Sequence, residues 1–289
     1  MGKVIIFGDS TTAEYTDKAY PQQGWAHFLK DYVKKDIEIK NFAQGGASLK
    51  SFIYSQEYID GMIPDNIPEH SMWESTILPE ISEGDIAIFY WGGINDMLQS
   101  GCDCYRLCQG GAYVRDWQNT SRESYIWIGE GMGTHEFFTL RSEITEMAEI
   151  LTKMISQVKE KNAIPIIIKG TGKYYKVHGQ DKNVVSVTRK YADAVCDVAK
   201  SCGVECIDIG AQLDKEFCIY GYEKTVQKYL LPISVIDKMR KEKGIQKPLP
   251  EVDDNVHYNY NGAAGICHKI VEYALASGSV LKDIVETGN

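Results

Sequence analysis

Five short runs of β-branched and aromatic residues recur along this 289-residue chain: Val4–Phe7, Ile37–Phe42, Ile86–Tyr90, Ile164–Ile168 and Val204–Ile209. Each has strand length, and segments with helical spacing stand between them: Trp25–Val33, Arg141–Lys161 and Val184–Cys202. In Arg141–Lys161, residues Ile144, Met147, Leu151, Met154, Ile155 and Val158 return every three or four positions, so one helix face is apolar. Strands that alternate with helices predict a parallel sheet covered on both faces, an α/β architecture. A closing helix is expected from about Asn261 to Ala276.

Two stretches break the alternation. Residues from about 98 to 139 are rich in Gly, Cys and aromatics, Trp117 and Trp127 among them. Residues from about 215 to 250 mix tyrosines with a charged run that ends at Pro248 and Pro250. Both come after strand C-termini, where open parallel sheets bind ligands, and both read as functional insertions in a single domain spanning 1–289.

The net charge of −9 argues against a nucleic-acid partner, which needs a basic face. No apolar stretch approaches the ~20 residues of a membrane helix, and Val4–Phe7 reads as a strand rather than a signal sequence. The expected location is therefore cytoplasmic, with reduced thiols. Cys102, Cys104 and Cys108 cluster as C-x-C-x3-C, but no second pair or nearby His completes a zinc set. Neither a metal nor an organic cofactor is expected.

The strand ends carry the chemistry. Gly8-Asp9-Ser10 closes the first strand, Asn41-Phe42-Ala43-Gln44-Gly45-Gly46-Ala47-Ser48 the second, and Gly93-Ile94-Asn95-Asp96 the third. Asp254-Asn255-Val256-His257 lies near the C-terminus. A serine hydroxyl becomes a nucleophile when a base takes its proton, a carboxylate orients that base, and preorganised donors meet the oxyanion. Ser10, His257 and Asp254 suit these three roles, and three-residue spacing lets one turn of chain present both Asp254 and His257. Asp253 competes as the orienting carboxylate. The Ser10 and Gly46 amides and the Asn95 side chain are the candidate oxyanion donors. Each block has a bland reading as a turn or loop; their joint arrival at one sheet edge favours the functional one.

These residues resemble the SGNH (GDSL-type) hydrolase superfamily, block for block. Within it, Gly8–Ala13, the segment Asn41–Phe52 and His257-Tyr258-Asn259 are similar to the rhamnogalacturonan acetylesterase branch. The resemblance implies a flavodoxin-like three-layer α/β/α fold with sheet order 2-1-3-4-5 and metal-free ester hydrolysis. It also implies Ser10, Asp254 and His257 as catalytic residues and Ser10, Gly46 and Asn95 as the oxyanion hole. Ala47 and Gly92-Gly93-Ile94 depart from that branch. The expected substrate is an acetylated oligosaccharide, with Tyr174 in the Thr171–Tyr175 loop, Trp117 and Trp127 as candidate sugar-stacking residues. Lipase-like or thioesterase-like action on longer acyl chains, and non-catalytic carbohydrate binding, are the alternatives. A nucleotide-binding reading of Gly8–Thr12 lacks the lysine of a phosphate loop.

Overall fold

The computed structural model describes residues 2–53, 70–98, 142–177 and 179–286. Strands β1 (Val4–Gly8), β2 (Ile39–Asn41), β3 (Ile86–Trp91) and β4 (Ile164–Lys169) are joined, beyond a hairpin of β5 (Tyr174–Val177) and β6 (Gln180–Ser186), by β7 (Glu205–Asp208). The five-stranded sheet runs β2-β1-β3-β4-β7, parallel throughout. This is the expected order 2-1-3-4-5. Every residue of β1 and β3 is buried, as befits central strands covered on both faces.

The helices are α1 (Leu49–Ile53), α2 (Ile94–Leu98), α3 (Ile144–Glu160), α4 (Arg189–Ser201), α5 (Ile209–Tyr220), α6 (Tyr222–Tyr229), α7 (Ile233–Glu242) and α8 (Tyr260–Ser277). Alternation splits the strands between two cores. Val4, Ile6, Ile88, Tyr90 and Ile166 face one layer, with Trp25, Phe217 and the inner face of α8. Ile5, Phe7, Phe89, Trp91 and Ile167 face the other, against Met147, Leu151, Met154 and Val195. Helix α3 buries Met147, Leu151, Met154, Ile155 and Val158, the apolar stripe read from the sequence. Each such side chain contributes roughly 1.5–3 kcal/mol when fully buried.

Several expectations need correction. The segment predicted to be helical from Val184 is β-strand up to Ser186, and α4 starts at Arg189. Val184 and Val185 are β-branched and pair across the hairpin with Lys176 and Tyr175, so cross-strand pairing decides the outcome. Trp25–Asp31 forms a 3-10 helix. The stretch 215–250, read as an irregular insertion, is largely helical. Its short helices break at Gly221 and Pro232 and bury Phe217, Val226, Tyr229, Ile236 and Met239. Their brevity hides the period. Reduced thiols were expected, whereas Cys196 on α4 and Cys206 on β7 form a disulfide, Cα–Cα 5.9 Å. Cys102, Cys104, Cys108 and most of the 98–139 stretch lie outside the described residues. Among the described residues, no helix is long and apolar enough to cross a membrane.

Candidate active site

Ser10 stands just past β1, at the C-terminal edge of the sheet. The turn that carries it is pinned by Asp9. Asp9 Oδ1 accepts from the Thr11 amide (2.8 Å) and the Thr11 hydroxyl (2.6 Å), while the Asp9 carbonyl accepts from the Thr12 and Ala13 amides. Burial raises the Asp9 pKa despite these bonds and the nearby His257. Tyr15 adds a brace, its hydroxyl donating to the Ser10 carbonyl at 3.0 Å.

Asp254 and His257 arrive on β9 (Asp254–Tyr258), a short strand paired with β8 (Leu230–Leu231), rather than on a loop turn. Asp254 Oδ1 accepts from the amides of Val256 (2.9 Å) and His257 (3.0 Å), which leaves Oδ2 for the imidazole. His257 Nδ1 and Asp254 Oδ2 are 2.6 Å apart, and His257 Nε2 is 2.8 Å from Ser10 Oγ. With Asp254 ionised, Nδ1–H is the donor to the carboxylate, so Nε2 faces the serine hydroxyl as an acceptor. Asp253, the rival carboxylate, turns away and accepts from the Ile233 amide at the start of α7 (2.8 Å).

Burial pulls the His257 pKa down, but the charge and hydrogen bond of Asp254 outweigh it, and the imidazole lies above its ordinary 6.5. Burial likewise pushes Asp254 up, and the imidazolium and the two amides reverse this, leaving the carboxyl below its ordinary 3.8. The pair is thus arranged to hold a proton on the imidazole beside a carboxylate that stays charged.

The second and third blocks lock onto this edge. The Gln44 amide donates to the Gly8 carbonyl (3.1 Å), which ties the loop after β2 to the end of β1. Gly46 within that loop has φ +80°, a conformation glycine adopts without the Cβ penalty. Asn95, at the start of α2, donates from Nδ2 to the Ala47 carbonyl at 2.8 Å. The second N–H of that amide has no partner among the described residues.

Asp96 braces all of this. Its Oδ2 accepts from the Trp91 indole (2.7 Å), and Oδ1 from the Ser142 hydroxyl (2.8 Å) and the Leu49 amide (3.2 Å). One buried carboxylate therefore joins the end of β3, the loop behind Gly46 and the segment leading into α3. Burial pushes its pKa up to about 6 against the three donors. Asp96 stood in the third block, but its bracing role was not read from the sequence, because its partners are 46 or 47 residues away as well as close by. A second unforeseen brace is the buried set Tyr90, Tyr258 and Thr171. The Tyr90 and Tyr258 hydroxyls are 2.6 Å apart, and Thr171 Oγ1 bonds the Tyr258 hydroxyl.

The expected sugar-stacking residue Tyr174 is a correction. It is 2% exposed and packs on Phe217, ring centroids 4.5 Å apart, so it belongs to the core. As the first residue of β5 it points inward, where the sequence suggested a loop tip. Trp117 and Trp127 lie outside the described residues.

The family model for GDSL-like lipases and acylhydrolases matches residues 6–222. The chain belongs to that family. The match takes in Ser10, Gly46 and Asn95 and ends before Asp254 and His257, which the geometry supplies. Rhamnogalacturonan acetylesterase RhgT of Bacillus subtilis strain 168 is 21% identical over 282 residues, which are 97% of this chain and 93% of the relative. Among solved structures, the YxiM protein of Bacillus subtilis is similar at a TM-score of 0.59 and 21% identity. The similarity covers 96% of this chain but 57% of that one. Axe2, an acetylxylan esterase from Geobacillus stearothermophilus, gives a TM-score of 0.51 at 12% identity, covering 94% and 93% of the two chains. These likenesses share the α/β fold, and family membership makes this GDSL-like protein a carboxylic ester hydrolase.

Proposed function

We propose that this chain is a serine esterase that removes O-acetyl groups from oligosaccharides through an acetyl-Ser10 intermediate. One observation carries the mechanism: the unbroken hydrogen-bond chain from Asp254 Oδ2 through the His257 ring to Ser10 Oγ. Ser10 Oγ attacks the ester carbonyl carbon as His257 Nε2 takes the hydroxyl proton. The carbonyl electrons move onto oxygen, and the oxyanion is met by the amides of Ser10 and Gly46 and by the second N–H of Asn95. Collapse breaks the bond to the sugar oxygen, which leaves with the proton from His257. Water, activated by the same imidazole, then releases acetate and restores Ser10.

The acetyl and carbohydrate parts of the reading draw on other support. A named rhamnogalacturonan acetylesterase aligns over nearly the whole of both chains, and a named acetylxylan esterase shares the fold.

The test is acetate release from acetylated xylan, pectin and chitin oligosaccharides, run beside Ser10→Ala, with p-nitrophenyl acetate, butyrate and octanoate as a chain-length series. Acetate release that needs Ser10, and a preference for the acetate ester, are expected. Preference for octanoate would sink the acetylesterase reading; activity persisting in Ser10→Ala would sink the mechanism.

A further inference from the structure

Ser10 Oγ and His257 Nε2 stand 2.8 Å apart, yet the strands that lead to them share no sheet. β1 belongs to the five-stranded sheet, whereas β9 pairs with β8. Ladder hydrogen bonds therefore do not fix the separation of nucleophile and base, and other contacts must. Residues 22–25 bond to both segments. On the nucleophile side, the Trp25 amide donates to the Thr11 carbonyl (3.0 Å) and the Trp25 indole to the Thr12 hydroxyl (3.0 Å). Gly24 has no room for a Cβ, which would collide with the Ala13 carbonyl. On the base side, Gln22 and Asn259 form an antiparallel bridge, and the Gln23 amide donates to the carbonyl of Tyr258, one residue past His257 (3.2 Å).

The Gln23 side chain, 4% exposed, closes this arrangement. Its Oε1 accepts from the amides of Tyr15 and Gly24, each at 2.9 Å, and its Nε2 donates to the Tyr15 carbonyl at 3.0 Å. Gln23 thus engages both backbone groups of Tyr15, as a neighbouring strand would. A carboxamide suits the place because it offers an acceptor and a donor together without charge. Tyr15 in turn donates its hydroxyl to the Ser10 carbonyl (3.0 Å). Hydrogen bonds therefore run from Ser10 through Tyr15 and Gln23 to Tyr258, and the next peptide unit carries His257.

Resting on the serine-esterase reading, we infer that Gln23 is a positioning residue that sets the separation of Ser10 and His257, acting through Tyr15 on one side and Tyr258 on the other.

The test follows hydrolysis of p-nitrophenyl acetate by the full chain, with circular dichroism to check folding. Gln23→Ala frees Tyr15 from β9, and kcat should fall by about 10²-fold with KM nearly unchanged, as for a small misplacement of reacting groups. The acid limb of kcat/KM should stay in place, because Asp254 still holds the imidazole. Tyr15→Phe should lower kcat by about tenfold in the wild-type background and by less than about twofold in Gln23→Ala, since both act along one path. Should Gln23→Ala fail to fold, Gln23→Glu replaces it. That variant keeps the acceptor for two amides, loses the donor to the Tyr15 carbonyl, and should show the same fall in kcat. A folded Gln23 variant with kcat within about threefold of wild type, a loss confined to KM, a moved acid limb in Gln23→Ala, or a Tyr15→Phe loss of equal size in both backgrounds would overturn the assignment and leave the esterase reading intact. Wild-type hydrolysis that does not need Ser10 would bring down both.

Discussion

Asp254→Asn separates geometry from charge in the proposed triad. In the wild type, Oδ1 is engaged by two backbone amides, at 2.9 Å and 3.0 Å, and Oδ2 lies 2.6 Å from His257 Nδ1. Two donors at Oδ1 require an acceptor, so the asparagine carbonyl oxygen takes that place and its NH2 turns to the ring. Nδ1 must then accept, the ring proton moves to Nε2, and Nε2–H points at Ser10 Oγ across the existing 2.8 Å. A nitrogen that already carries a proton cannot take one from serine. The expected loss is about 10⁴-fold in kcat, or about 5.5 kcal/mol of barrier, with the fold intact. The pH profile should move as well. The wild-type base must be neutral, and its pKa is raised, so the acid limb of kcat/KM should lie above 6.5. Without the Asp254 charge the burial effect is opposed only by the charge of Asp9, and the residual activity should show its acid limb at lower pH than the wild type. Steady-state kinetics on p-nitrophenyl acetate from about pH 5 to about pH 9 measure both quantities, and circular dichroism checks folding. A folded variant within about tenfold of wild type, or one with an unmoved acid limb, would refute the role given to Asp254.

Other expectations are narrower. Asn95→Ala removes a side-chain oxyanion donor and the tie to Ala47, and kcat should drop by about 10²–10³ with KM nearly unchanged; a change confined to KM would contradict that role. Asp96→Ala strands the Trp91 indole, the Ser142 hydroxyl and the Leu49 amide, and the net loss in urea unfolding at neutral pH should be about 3 kcal/mol. Because its folded pKa is raised from 3.8 to about 6, the stability Asp96 contributes through its bound proton is fully present below 3.8 and lost as pH rises through 6. The deficit of the alanine variant should therefore be larger in acid than at neutral pH, by up to about 3 kcal/mol, and a deficit that grows as pH rises over that range would contradict the linkage.

How much of the site could be read in advance depended on the range of each interaction. Ser10, Gly46 and Asn95 announce themselves because each follows a β-branched run, and a parallel sheet sends every such segment to one edge. Asp254 and His257 are close in sequence, and their pairing through Nδ1 was readable as a local motif. The bracing roles of Asp96, Tyr258 and Thr171 were not read from the blocks that hold them, since their neighbours are set by layers that meet through the sheet. Tyr174 went wrong for the same reason. An aromatic residue after β4 could face a substrate or the core, and the hairpin with β6 turned it onto Phe217.

Local pattern therefore determined the alternation of strands and helices and nominated the residues of the candidate site, because two-residue and 3.6-residue periods and strand-end motifs are written over a few positions each; the sheet order was implied by the family resemblance. Tertiary packing decided whether Asp253 or Asp254 meets the imidazole, which tyrosine is interior, and which segments Asp96 joins. These turn on a few ångströms between segments far apart in the chain, a separation that no local spacing encodes.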